Sequence, residues 1–142
     1  MVGVAGSKNP QLRHLSWCLK FSDDLRPEGP QDGLECSGAV GHFDYACPSI
    51  FSYWETPSDC QLLDGLLLAV NKKRINDACV RFDEQFRFHC YDIDFCRAAA
   101  EKKLKIGTWP IAVTHRSGGN FNSEEFRVTA RKYLQKWQGR EL

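Results

Sequence analysis

Residues 60–70, Cys60-Gln61-Leu62-Leu63-Asp64-Gly65-Leu66-Leu67-Leu68-Ala69-Val70, hold the longest nearly continuous apolar run of the chain, and they limit its fold more than any other segment. Runs of this kind belong to strands of a sheet buried on both faces, and strands alternating with helical patterns imply an α/β arrangement. Asp64-Gly65 interrupts the run. Glycine inside a buried strand marks a bulge or a close backbone approach, and a carboxylate beside it must be paired or face a cleft, because burying an isolated charge is costly. A plain bulge and a functional site both account for Asp64 and Gly65 at this level.

Two helical patterns supply cover for such a sheet. From about Asp92, the residues Ile93, Cys96 and Ala100 fall on one stripe, while Glu101, Lys102 and Lys103 mark the wet end. Asp92 reads as the N-cap, where free backbone N–H groups and the helix dipole keep a carboxylate ionised near neutral pH. An acid so placed serves as a base or ligand, or simply caps and solvates the helix start together with Asp94. Residues 82–97 thus gather Asp83, Glu84, Asp92, Asp94 and His89 in one stretch. Over 123–138, Phe126, Ala130, Tyr133, Leu134 and Trp137 recur at helical spacing behind Asn122 as N-cap, with Glu125 three residues on.

The remainder is strand and loop. Residues 2–5 read as a short strand, 12–19 as a short helix or an irregular segment packing Trp17, and 34–43 as a strand with glycines at its turns. The aromatics of 45–54, around Pro48, suit core and loop packing better than a sugar platform. Residues 71–74 read as a solvated turn, and 104–115 as an extended segment that Pro110 confines to an edge or bend, with His115 at its end. Arg116-Ser117-Gly118-Gly119-Asn120 is a loop whose amides suit a phosphate, although an ordinary loop explains it as well. The expected fold is α/β: a small mixed sheet with flanking helices near 92–103 and 123–138, in one domain over 1–142.

Composition excludes several classes. A net charge of +1 provides no basic stripe, so nucleic acid is not an expected partner. No apolar run approaches the roughly 20 residues needed to cross a bilayer. The opening Met1-Val2-Gly3-Val4-Ala5-Gly6-Ser7 lacks the basic and apolar regions of a secretory leader. The 7 cysteines are odd in number and scattered, with no Cys-x-x-Cys pair, which fits reduced thiols in the cytoplasm and disfavours a zinc site built on cysteine.

Five segments follow one another across nearly the whole chain: Val2-Gly3-Val4-Ala5-Gly6-Ser7-Lys8, Leu63-Asp64-Gly65-Leu66-Leu67-Leu68-Ala69, Phe82-Asp83-Glu84-Gln85-Phe86, Phe88-His89-Cys90-Tyr91-Asp92-Ile93-Asp94-Phe95-Cys96-Arg97-Ala98-Ala99, and Val113-Thr114-His115-Arg116-Ser117-Gly118-Gly119. In this order they resemble the C-terminal half of a GT-A fold glycosyltransferase, similar to family 2 enzymes and their small glycosyltransferase-like relatives. The resemblance implies that Asp92 is the catalytic base, with Tyr91 where many relatives have glutamate, and that Asp94 supports it. A carboxylate suits inverting transfer, in which the acceptor hydroxyl loses its proton as it attacks the anomeric carbon. Asp64 and Gly65, with Asp83 and Glu84, would shape the substrate side. His115 would correspond to a ligand of a divalent metal, Mn²⁺ or Mg²⁺, that neutralises the departing nucleotide diphosphate.

The resemblance also implies that the nucleotide-binding half and its Asp-x-Asp motif would precede Val2. Without them the chain would be the acceptor half of a split or degenerate transferase, or a non-catalytic homo-oligomeric scaffold or ligand-binding module descended from one. A sheet edge left bare in this way would favour a homo-oligomer, a dimer, that covers it. A metal-dependent hydrolase using His89, Asp92, Asp94 and His115 has the right residue types without a recognised ligand spacing. Arg97 is expected to pair with Asp94 or Glu101 on the same helix.

Overall fold

The computed structural model describes residues 1–10, 15–42, 49–53, 55–116 and 120–140, with 49–53 described as backbone. Leu12, Tyr45, Cys47, Trp54 and the Ser117-Gly118-Gly119 stretch therefore lie outside the described residues. In chain order the elements are β1 (Val2–Gly3), β2 (Ala5–Ser7), β3 (Leu19–Phe21), β4 (Pro27–Pro30), β5 (Cys36–His42), β6 (Ser49–Tyr53), β7 (Ser58–Asp59), β8 (Leu62–Leu63), β9 (Leu68–Ala69), α1 (Lys72–Asp77), α2 (Tyr91–Glu101), β10 (Gly107–Thr108), β11 (Thr114–His115) and α3 (Glu124–Lys136). The fold is mixed α/β, as expected. Among the described residues no helix is long and apolar enough to cross a membrane.

β1 and β2 form the spine, bending at the buried Val4 so that one short stretch serves two sheets. β1 lies between β10, to which it is parallel, and β9, to which it is antiparallel, while β7 flanks β10. β2 lies between β5 and β8, antiparallel to both. β5 in turn pairs with β6 and, at Gly41 and His42, runs parallel to β11. Gly38 permits the close crossing of β5 over the spine, since its φ is +104° and a side chain there would run into the Val4 carbonyl. β3 and β4 form a separate hairpin.

The apolar run at 60–70 is not one strand. Leu63 pairs with Gly6 and Leu68 with Gly3, so five steps on one side face three on the other. The surplus leaves the sheet as an excursion over 64–67 between β8 and β9. Its cause is local turn chemistry: the Asp64 Oδ1 accepts from the Leu66 N–H at 2.8 Å, while the Asp64 N–H still donates to the Ala5 carbonyl at 2.9 Å. Continuous hydrophobicity survives because Leu62 and Leu63 are fully buried under α2, whose Cys96 Sγ accepts from the Leu63 N–H at 3.3 Å.

α2 begins one residue before the expected start. Its N-cap is Cys90, in the left-handed region at φ 62°, so Asp92 sits inside the first turn. Ile93, Phe95, Cys96 and Ala99 are buried, each large apolar side chain contributing about 1.5–3 kcal/mol by leaving water. α3 is capped by Ser123, whose Oγ accepts from the Phe126 N–H at 3.1 Å, rather than by Asn122. Its Phe126, Ala130 and Tyr133 form the predicted buried stripe, continued by Trp137 just past its end. The turn expected at 71–74 is the start of α1, capped by the Asn71 side chain on the Arg74 N–H at 3.0 Å; Ile75 is its buried residue. The six described cysteines, Cys18, Cys36, Cys60, Cys79, Cys90 and Cys96, are free thiols.

Candidate functional site

A cleft of about 530 Å³ opens where the excursion after β8, the start of α2 and the ends of β5 and β11 meet. Asp64, Gly65, Asp92 and His115, four of the residues singled out in the sequence, line it together. The excursion carries the first two outward from the sheet, the first turn of α2 presents Asp92, and the parallel pairing of β11 with β5 sets His115 beside His42, their ring centroids 5.6 Å apart.

Asp92 is held by main chain. Its Oδ2 accepts from the Gly65 N–H at 3.0 Å and its Oδ1 from the Ile93 N–H at 2.9 Å. Gly65 also receives the Tyr91 hydroxyl on its carbonyl at 3.1 Å, so both of its backbone polar groups engage the first turn of α2. Only glycine fits: a Cβ at position 65 would collide with the Tyr91 phenol and lie 3.0 Å from the Asp92 Cβ. The N–H groups at the start of α2 do not hold Asp92 at its ordinary value. Burial, aided by the neighbouring Asp64 charge, outweighs the N–H groups and raises the Asp92 carboxyl from 3.8 to about 6. A carboxyl in that range exchanges protons near neutral pH, as a general base or acid requires.

Asp64 has a supporting geometry. Its Oδ2 accepts from the Trp17 indole N–H at 2.8 Å, which fixes the ring against the cleft wall, while its Oδ1 holds the turn. Cys18 and Cys90 also line the cleft, but burial pushes the Cys18 thiol up to about 12 and pushes Cys90 up as well, so neither is a thiolate nucleophile.

The other predicted site residues lie elsewhere. Asp94, expected to support Asp92, is 1% exposed and faces away into the α2–α3 junction, accepting from the Trp137 indole N–H and from Lys136 Nζ. Residues two apart on a helix point about two hundred degrees apart, so Asp92 and Asp94 cannot share a face. Asp83 joins that junction through Lys136 Nζ at 2.8 Å, and Glu84 is exposed. Lys136 holds Asp83 down at about 2. Lys136 itself loses by burial but stays above its ordinary value through both carboxylates. Arg97 pairs with neither Asp94 nor Glu101; it donates to the Arg140 carbonyl at 2.7 Å and stacks over Trp137.

His115 has His42 as its neighbour, yet among the described residues no group of three or more His, Cys, Asp and Glu side chains converges to hold a metal ion. Sequence reasoning missed the walls: Trp17, His42, Phe88, Phe121 and Phe126 reach the cleft through tertiary packing. His89, named in the hydrolase reading, has its Nε2 buried without a hydrogen-bond partner among the described residues.

No protein-family model, curated protein or solved structure matches the chain.

Proposed function

We propose that the chain is a glycosyltransferase-type protein of the GT-A kind, that the cleft takes the sugar acceptor, and that Asp92 is the base. The observation that carries this reading is the mounting of Asp92: a carboxyl raised to about 6, fixed by two backbone N–H groups and open to an aromatic-lined cleft that also contains Asp64 and His115. In the reaction the acceptor oxygen forms a bond to the anomeric carbon of a nucleotide sugar, the bond to the diphosphate breaks with its electron pair, and the acceptor proton passes to Asp92. General-base assistance of this kind is worth about 10²–10⁴ in rate. Asp64 keeps the neighbouring Trp17 wall in place and, by its charge, favours the proton on Asp92.

The test is release of nucleoside diphosphate from a panel of uridine and guanosine diphosphate sugars, in the presence of Mn²⁺ and simple glycoside acceptors. Turnover that falls by about 10² or more in Asp92→Asn, with thermal stability kept, supports the assignment. Turnover unchanged in that variant removes Asp92 from the reaction. Sugar binding without turnover under any donor and metal condition would leave the cleft as a ligand-binding module.

A further inference from the structure

The cleft is unbalanced in charge. Among the described residues its lining holds the carboxyls of Asp64 and Asp92 and no lysine or arginine, in a chain whose 19 Lys and Arg slightly outnumber its 18 Asp and Glu. Its basic groups are imidazoles, with His42 and His115 side by side where β5 meets β11. Both carboxyls are partly exposed at the cleft, and both keep acceptor capacity. The Trp17 and Leu66 N–H groups take two of the about four lone-pair positions of Asp64, and the Gly65 and Ile93 N–H groups take two of those of Asp92. The N–H that reaches Asp92 belongs to the peptide between Asp64 and Gly65, so one peptide group fixes the two acids relative to each other. Much of the remaining wall is aromatic. Tyr91 and Phe121 are partly exposed there, and the faces of such rings attract cations.

The geometry points to an amino sugar as the molecule this cleft accepts: Asp64 pairs with its ammonium group, the aromatic wall covers the ring, and Asp92 faces the reacting hydroxyl. The inference rests on the reading of the cleft as an acceptor site and specifies the charge of what is accepted. A cavity of about 530 Å³ has room for a sugar ring. An ammonium brings three donors and a positive charge, which answers the spare acceptors and the unbalanced charge together. A hydroxyl in its place answers the acceptors alone, and a phosphate brings further negative charge to two carboxyls that have no lysine or arginine beside them in the described lining. Walls of low polarity make such a difference count for more than it does in water. A cation on Asp64 also offsets the charge that favours the proton on Asp92, so seating the acceptor readies the base.

The experiment is calorimetric titration of the full chain at neutral pH with the methyl glycosides of glucosamine, galactosamine and mannosamine, each beside its N-acetyl and parent hydroxyl counterparts. At least one amino glycoside is expected to bind about tenfold or more tighter than both counterparts, the difference between a charge-assisted and a neutral hydrogen bond. Asp64→Asn is expected to erase that preference, while Asp59→Asn, an exposed acid outside the cleft, leaves it intact. Should Asp64→Asn not fold, the wild type decides across sodium chloride concentration: affinity for the amino form falls as salt rises and affinity for the neutral forms does not. An amino-form affinity that ignores salt counts against the inference. Equal affinity for amino and hydroxyl forms overturns it while leaving a sugar cleft intact. A preference that survives in folded Asp64→Asn overturns it, and so does the absence of binding by every glycoside. Diphosphate release judges the transferase reading separately. Release with neutral acceptors alone keeps that reading and overturns the amino sugar, whereas tight binding of an amino glycoside with no release from any donor upholds the amino-sugar site and removes the transferase reading.

Discussion

Replacing Asp92 by asparagine and following stability against pH isolates the force that sets the candidate base. Raising the carboxyl from 3.8 to about 6 favours its neutral form in the folded protein by about 3 kcal/mol, at about 1.4 kcal/mol per decade. Solvent reaches part of this carboxylate, so about 1.5–3 kcal/mol is the expected range. The sign follows from proton binding. Between the unfolded and folded values the native state holds the proton more tightly, so its advantage is full below about pH 4 and is lost as pH rises through about 6. Asparagine cannot ionise. It also cannot accept both the Gly65 and the Ile93 N–H, which costs a constant amount at every pH. That offset cancels when the difference between wild type and Asp92→Asn is followed across pH. Urea unfolding from about pH 4 to about pH 7 should show the wild type falling by about 1.5–3 kcal/mol relative to the variant. A flat difference, or one that grows with pH, would refute the claim that desolvation dominates at this carboxyl.

Four further outcomes are expected. Gly65→Ala should destabilise by about 2 kcal/mol in urea unfolding and abolish diphosphate release, because its methyl would strike the Tyr91 phenol and Asp92. Asp94→Ala should cost about 3–5 kcal/mol by leaving Trp137 and Lys136 short of a buried acceptor, a much larger loss than any change in sugar binding measured by titration. Asp83, held down at about 2 by Lys136, stabilises the fold above about pH 4, and that stability is lost as pH falls toward about 2. Thermal melts of Asp83→Asn should therefore lack this part of the acid decline. Ser123→Ala should remove about 1 kcal/mol through loss of the α3 cap, read as a lowered melting temperature.

The helices were legible because period and polarity agreed in each: Phe126, Ala130, Tyr133 and Trp137 are the residues that bury, and Ile93 and Cys96 do the same for α2. Boundaries were less so, since Cys90 caps α2 through an unusual backbone angle rather than a side chain. The apolar run at 60–70 misled by one element, because continuous leucines conceal a register difference that only the pairing with Gly3 and Gly6 reveals. The Asp64-Gly65 interruption was nevertheless the visible sign of it. Of the site, Asp64, Gly65 and Asp92 were marked by local sequence and His115 by the resemblance, and all four line one cleft, whereas Asp94, which the resemblance set beside Asp92 as its support, points to another side of the helix. Trp17 could not be found beforehand. Its bond to Asp64 spans 47 positions, and nothing near Trp17 announces it.

The grip of Gly65 on the first turn of α2 separates two jobs that many cavities mix. The Asp92 carboxyl hangs from peptide groups, whose chemistry is the same whatever residues surround them, while the rest of the cleft wall is ordinary side chains such as Phe88 and Phe121. Descendants of this chain could therefore swap the lining to suit a different partner molecule and leave the mount untouched. Diversity among relatives should accumulate in the upholstery, with glycine retained at the hinge pin.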